Sequence, residues 1–239
     1  VSDDELRRMT KDYVSRYAAE RIDDFAHKSA RFRYLFTRLR ETAYTIILNI
    51  AREMRQSAFQ PVSFELSFGG RQGDLPAITI QEDGARLSVS GKVDRVDGWL
   101  HEGKLYLRVV DYKTGKKSFD LTDIRYGLGI QMLLYLFTLE REGQSFFGHP
   151  IVPCGVLYQP ARDVILRQDR NISDEKLKAA LQSELRRTGL VLNDPQVLQA
   201  MEHSALESPC YLPIGVKKDG SLSGSVATAA QLGHLGRYV

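Results

Sequence analysis

Cysteine is scarce: the 239-residue chain holds two, Cys154 and Cys210. They form no CxxC pair and have no histidine at zinc-finger spacing, so a four-ligand metal site cannot be assembled from cysteine. Their reading is as small buried or neutral residues, and a reduced cytoplasmic compartment fits them best. No run approaches the roughly 20 apolar residues of a membrane span, and the start VSDDELRRMT has no apolar signal core. No membrane partner is therefore expected. An excess of one charge sign is missing too, because 33 Lys and Arg against 30 Asp and Glu leave +3. The whole-chain balance does not announce a nucleic-acid partner, and local clustering must carry that argument. There is no internal repeat. The first residue is not Met, which points to a segment of a larger protein.

What is present is enough apolar residue, 43%, for one large domain or a domain with an appendage. Residues 1–60 read as a helical N-terminal part, with Val14, Tyr17 and Ala18, then Tyr34, Leu35, Leu39, Ala43, Ile46, Ile47, Ile50 and Met54 at spacings of three and four. Gln60-Pro61 stops the pattern. From there to 239 strands and helices mix. VSFELSF (62–68) alternates with period two, GGRQGDLP is a turn, and AITI follows. RLSVSGKVDRVD and KLYLRVVDYK, separated by GWLHEG, read as a hairpin. Helical spacing returns from Thr122 to Glu142 and ends at Gly143, a strand follows at Ile151–Tyr158, and helices are predicted near Ser173–Arg187 and Pro195–His203. A Gly/Ser-rich stretch near 215–226 reads as a mobile loop, followed by the start of a helix.

The chemistry concentrates in VVDYKTGKKSF (109–119). A two-residue turn at Glu102-Gly103 would pair residues whose numbers sum to 205, placing Asp94 opposite Asp111. Period-two alternation then puts Lys113 on the face of Asp111, with Lys92 beside it. Facing carboxylates suit a hard cation such as Mg²⁺, and a nearby lysine could orient or deprotonate a bound water, so the set suits metal-assisted phosphodiester hydrolysis. No activated Ser or Cys motif accompanies it, so no covalent intermediate is expected. The bland alternative stays open: Asp94 pairs with Arg95 or Lys113, Asp111 pairs with Lys116, and the hairpin is merely charged. A bulge would also undo the register.

GKVDRVD (91–97), DYKTG (111–115) and QMLLY (131–135) resemble, in order and spacing, the GxxDRxD, DYKTG and QxxxY signature of RecB-type nucleases in the PD-(D/E)xK superfamily. Over most of the chain the likeness is to the nuclease region of AddB-type helicase-nuclease subunits. The resemblance implies an α/β, restriction-endonuclease-like core, with a mixed central sheet flanked by helices and a helical N-terminal extension. It implies a Mg²⁺- or Mn²⁺-dependent deoxyribonuclease, an exonuclease module processing double-strand ends for recombination repair. DNA and a helicase-nuclease A-type subunit would be its partners. By the same likeness Asp94 and Asp111 would bind the cation, Tyr112 would add its carbonyl, Lys113 would be the catalytic lysine, Gln131 and Tyr135 would reach the site from a helix, and Glu65 would be accessory. The i, i+4 spacing of Gln131 and Tyr135 agrees with one helical face, the alternative being ordinary packing of Tyr135 in the apolar stripe.

The chain departs from that family in two respects. Such sites use an upstream histidine in a GxxxH setting, which nothing before Asp94 matches, since His27 in DDFAHKSA lacks the glycine. The histidine is expected to precede Val1, leaving this chain alone a weak Mg²⁺ binder. The iron-sulfur cluster that AddB-type subunits often hold needs one cysteine upstream and three downstream, so it is expected in a full-length protein and not here. A catalytically silent DNA-binding or assembly module is the second functional reading. Lys116 and Lys117, just past the site, and Arg95 are the predicted DNA contacts, whereas Arg31, Arg33, Arg38 and Arg40 read as a solvated helix face.

Overall fold

A computed structural model describes residues 1–22, 24–69, 73–82, 84–166 and 171–238. The predicted helical N-terminal part is two helices, α1 (Asp3–Arg21) and α2 (Ala30–Met54). Ser2 opens α1 through a capping box with Glu5, which satisfies two backbone donors reciprocally. The helical period holds, but the burial it implies does not: Tyr17, Tyr34, Leu35 and Leu39 are exposed. Only toward its end does α2 bury side chains, Asn49 and Glu53.

Six strands form the main sheet: β1 (Gln60–Phe68), β4 (Gly91–His101), β5 (Lys104–Lys113), β6 (Ile151–Pro160), β7 (Thr188–Leu192) and β10 (Val226–Ala227), in the order β1-β4-β5-β6-β7-β10. β5 runs parallel to β6 and β7 parallel to β10, while the other neighbours are antiparallel, so the sheet is mixed. β1 is an edge strand, and it admits Pro61 beside a bulge at Pro61/Ser63, where a missing N–H costs no ladder bond. Outside this sheet β2 (Ile78–Glu82) pairs with β3 (Ala85–Val89), and β8 (Ile214–Val216) with β9 (Leu222–Gly224).

Helices flank the sheet. The connection from β5 to β6 carries α3 (Leu121–Arg125) and α4 (Gln131–Phe147). Gly143 of α4 packs on Ile151, which lies beside Leu105 of β5, whereas Glu53 of α2 reaches Arg108 of β5. Side chains three residues apart on a strand point to opposite faces, so α4 and α2 cover opposite sides. The remaining helices are α5 (Asp174–Glu184), α6 (Pro195–Met201) and α7 (Ala229–Tyr238). This mixed, helix-flanked sheet is the restriction-endonuclease-like architecture. Among the described residues no helix is long and apolar enough to cross a membrane.

Three local expectations are corrected. The helix expected over Thr122–Glu142 is broken between α3 and α4, where Gly127 and Gly129 adopt φ of 75° and 69°, and it then runs on through Gly143, which packs closely on Ile151. The run RLSVSGKVDRVD is two strands parted at Ser90. TGLVL, which the sequence reading leaves unassigned between two helices, is β7. The segment near 215–226 holds the β8–β9 hairpin rather than a featureless loop, and Val226 begins β10.

Candidate active site

The β4–β5 hairpin turns at Glu102-Gly103, whose φ angles of 47° and 75° are both positive, as a two-residue turn matching the strand twist requires. The ladder runs from His101↔Lys104 to Arg95↔Val110 without a bulge. The next step of that register sets Asp94 opposite Asp111.

The two carboxylates are held differently. Asp94 Oδ2 accepts the backbone N–H of Tyr112 at 2.8 Å. Asp111 Oδ2 lies 2.6 Å from Lys113 Nζ, a close ion pair. Burial raises the Asp111 pKa above the ordinary aspartate value; Lys113 opposes the shift and the charge of Asp94 adds to it. The bland alternative is therefore right in kind for Asp111, with Lys113 as the partner instead of Lys116.

Glu65 belongs to the same corner. Its neighbours pair as Phe64↔Arg95 and Leu66↔Val93, which sets Glu65 across from Asp94 in a row spanning β1, β4 and β5. Its φ of 53° is left-handed inside a strand, a conformation that costs an L-residue about 1 kcal/mol or more. The Glu65 carboxylate binds Lys92 Nζ at 2.7 Å. Lys92, expected beside Lys113, is thus turned toward β1.

Gln131 and Tyr135 do meet: Gln131 Nε2 donates to the Tyr135 hydroxyl at 2.7 Å. Gln131 is the first residue of α4, and the Tyr135 ring stacks on Phe68 with centroids 5.2 Å apart. The hydroxyl occupies the space over Gly91, where a Cβ would stand 2.3 Å from it. Packing and positioning coincide in this tyrosine.

Arg95 is a correction. It is 1% exposed, its Nε binds Asp97 Oδ1 at 2.9 Å, and its Nη1 donates to the Tyr112 hydroxyl at 2.8 Å, so it does not face a DNA backbone. The network continues through Arg108, which bridges Asp97 at 3.0 Å and Glu53 at 2.9 Å, to Arg187, 2.5 Å from Glu53. Asp97 closes the GKVDRVD run, whereas nothing singles out Arg108, Glu53 or Arg187 in the sequence. Strand alternation alone assigns Arg95 to the face opposite Asp94, and that is the available signal.

Lys116 and Lys117 are exposed just beyond β5. Lys116 Nζ is 3.4 Å from Glu184, and Lys117 Nζ stands 5.8 Å over the Tyr158 ring, which also carries Lys113 Nζ at 5.7 Å. Of the arginine set on α2, Arg38 pairs with Asp163 and Arg40 with Glu41. His27 is exposed and its ring contacts Asp24, away from Asp94. Among the described residues no group of three or more His, Cys, Asp or Glu is placed to hold a metal ion.

Comparison with known proteins is consistent with this geometry. The chain is 36% identical over 98% of its length to the B-type subunit of the ATP-dependent helicase/deoxyribonuclease of Acetivibrio thermocellus. The subunits of the same name from Clostridium kluyveri and Clostridium novyi are 34% and 33% identical over 95% and 100% of it. The chain spans about a fifth of the length of these relatives, 20–21%. A model of the PD-(D/E)XK nuclease superfamily matches residues 2–210. With the match covering most of the sheet, including the strands that bear Asp94, Asp111 and Lys113, the chain belongs to the PD-(D/E)XK nuclease superfamily.

Proposed function

We propose that the chain is a divalent-cation-dependent deoxyribonuclease module, an exonuclease, within a helicase-nuclease that processes DNA ends for recombination repair in the cytoplasm. The observation that carries the reading is the Asp94, Asp111 and Lys113 constellation at the end of the β4–β5 ladder. Two carboxylates that face each other across the ladder, one of them largely buried, suit a group that brings positive charge. Asp94 and Asp111 would hold Mg²⁺ or Mn²⁺, with the Tyr112 carbonyl as a further donor. Such an ion supplies charge to a phosphate oxygen and acidifies water. The Tyr112 N–H keeps one Asp94 oxygen fixed, and the Arg95 bond to the Tyr112 hydroxyl holds that residue from behind. Lys113, partly exposed, would neutralise the scissile phosphate or move a proton at Nζ. Glu65 is an accessory carboxylate within the same row, and Lys116 and Lys117 would contact the backbone of the incoming strand. An A-type subunit would be the chain's partner, and an iron-sulfur cluster would be held by other segments of a longer protein.

The silent-module reading rests on the lack of a three-ligand cluster among the described residues. Incubating end-labelled linear DNA with the protein in Mg²⁺, in EDTA, and with Asp111→Asn separates the two. Cation-dependent cleavage that the substitution removes supports the nuclease; binding without cleavage, in the presence of the partner subunit, supports the silent module.

A further inference from the structure

Beyond β5 lies a cleft of about 230 Å³ whose walls include Lys113, Lys116, Lys117, Arg162, Glu184 and Tyr158. Five cations, Arg186 among them, and one carboxylate share it. The Glu184 carboxylate meets two of them: its Oε2 accepts from Arg162 Nη2 at 2.5 Å and is 3.4 Å from Lys116 Nζ. A guanidinium and an ammonium closing on one oxyanion is also how phosphate is bound. Resting on the nuclease reading above, we propose that this cleft binds the DNA phosphodiester next to the scissile one, and that Glu184 fills it as a stand-in for phosphate until DNA displaces it.

Three features support this. The walls are fixed to the catalytic strand: Pro160 pairs with Lys113, the Ala161 N–H donates to the Lys113 carbonyl at 2.8 Å, and Arg162 follows directly. From the other side, the Thr188 hydroxyl donates to the Lys117 carbonyl at 2.7 Å. A ligand held by Arg162 is therefore in register with Lys113. Second, Glu184 ends α5, where the helix dipole disfavours a carboxylate. Third, its side chain is 34% exposed and that of Lys116 77%, so solvent and a polyanion can both reach the pair. The Arg162 and Lys116 contacts keep the Glu184 pKa below the ordinary glutamate value, so it competes as an anion at neutral pH.

The test is binding of a fluorescent single-stranded oligonucleotide to the protein carrying Asp111→Asn, in EDTA, across a range of KCl concentrations. Glu184→Gln should tighten binding about 3- to 10-fold, because the competing charge is gone while an acceptor for Arg162 remains. Arg162→Ala should weaken binding and flatten the slope of log K against log salt by about 0.7, one phosphate contact on a single strand. Should Arg162→Ala unfold the protein, Arg162→Gln gives the same readout. Unchanged or weaker binding by Glu184→Gln, or an unchanged slope in the Arg162 variant, overturns the proposal. The two readings fail separately. Asp111-dependent cleavage with no effect at Glu184 leaves the nuclease and removes the subsite, whereas tighter binding by Glu184→Gln with no cleavage does the reverse.

Discussion

On one face of the β4–β5 hairpin Asp97, Arg95 and Arg108, with Glu53 and Arg187 from other segments, form a chain in which each charge meets an opposite charge within 3.0 Å. On the other face Asp94 meets a neutral N–H, and Asp111 shares the corner with one ammonium. Both faces are built from the same residue types on the same two strands. The back is fully buried, whereas Asp111 and Lys113 retain access to solvent. Charge by itself therefore does not mark a site here. What sets the front apart is a pair of facing carboxylates that a ligand can reach from solvent, and the two faces should respond to substitution in different currencies, activity and stability.

The largest effect is expected on the front face. Asp111→Asn should take cleavage of linear DNA in Mg²⁺ below detection while the protein stays folded. Its stability should respond in a characteristic direction. A carboxyl with a raised folded pKa binds its proton more tightly in the native state, so wild-type stability falls as pH rises from the unfolded value of 3.8 through the folded one. Urea titrations at pH 4 and pH 7 should show that loss in the wild type and a smaller one in Asp111→Asn. If the variant still cleaved at the wild-type rate, the assignment of the front face would be wrong.

Lys113→Ala should lower turnover by about 10²- to 10⁴-fold, the range for a positioned proton-transfer group. Calorimetric Mn²⁺ titration should show a far smaller change in cation affinity. Parallel loss of both would make Lys113 a structural ion-pair partner, as on the back face.

The back face should fail through folding. Glu53→Gln strands two buried guanidinium groups, and removing one member of a buried pair costs about 3–5 kcal/mol, measurable as a drop in the urea midpoint. Burial pushes the Glu53 pKa up, but Arg187, Arg108 and Arg95 together outweigh it, so the pKa is lowered. The stability it contributes is thus present above its unfolded value of 4.5 and lost as pH falls below it, opposite in sign to Asp111. A variant of wild-type stability would mean that the buried charges balance without Glu53.

Gly91→Ala is the smallest and sharpest change. The new Cβ would press on the Tyr135 hydroxyl, and overpacking of this kind costs about 1–3 kcal/mol. If Gln131 and Tyr135 serve the site, cleavage should fall by more than the folded fraction does, read by comparing activity with circular dichroism on the same sample.

The legible parts were those governed by local rules. A two-residue turn at Glu102-Gly103 is the simplest way to fold the hairpin, and it sets the register through to Asp94 and Asp111. The i, i+4 relation of Gln131 and Tyr135 needed nothing beyond the helical repeat. The illegible parts depended on distant partners. Arg95 looks like a surface arginine until Asp97 and Arg108 are placed beside it, and Arg108 is explained by Glu53, which lies 55 residues earlier in the chain. TGLVL is too short to declare itself a strand, and it becomes one because β6 and β10 flank it. The break before Gln131 required knowing that Gly127 and Gly129 use positive φ, a freedom that glycine permits without compelling.

The two edges of the main sheet bear on how the protein behaves in company. One edge is β1, with Pro61, a bulge beside it and the exposed Glu65; the other is β10, only two residues long. A long flat edge would offer unpaired backbone groups to a second sheet and invite aggregation, and proline, bulges, charge and brevity are the devices that deny that template. The strands that bear Asp94, Asp111 and Lys113 lie inside both blunted borders. The acidic corner can therefore stay open to a polymer approaching from solvent without the sheet beneath it recruiting strands from another copy.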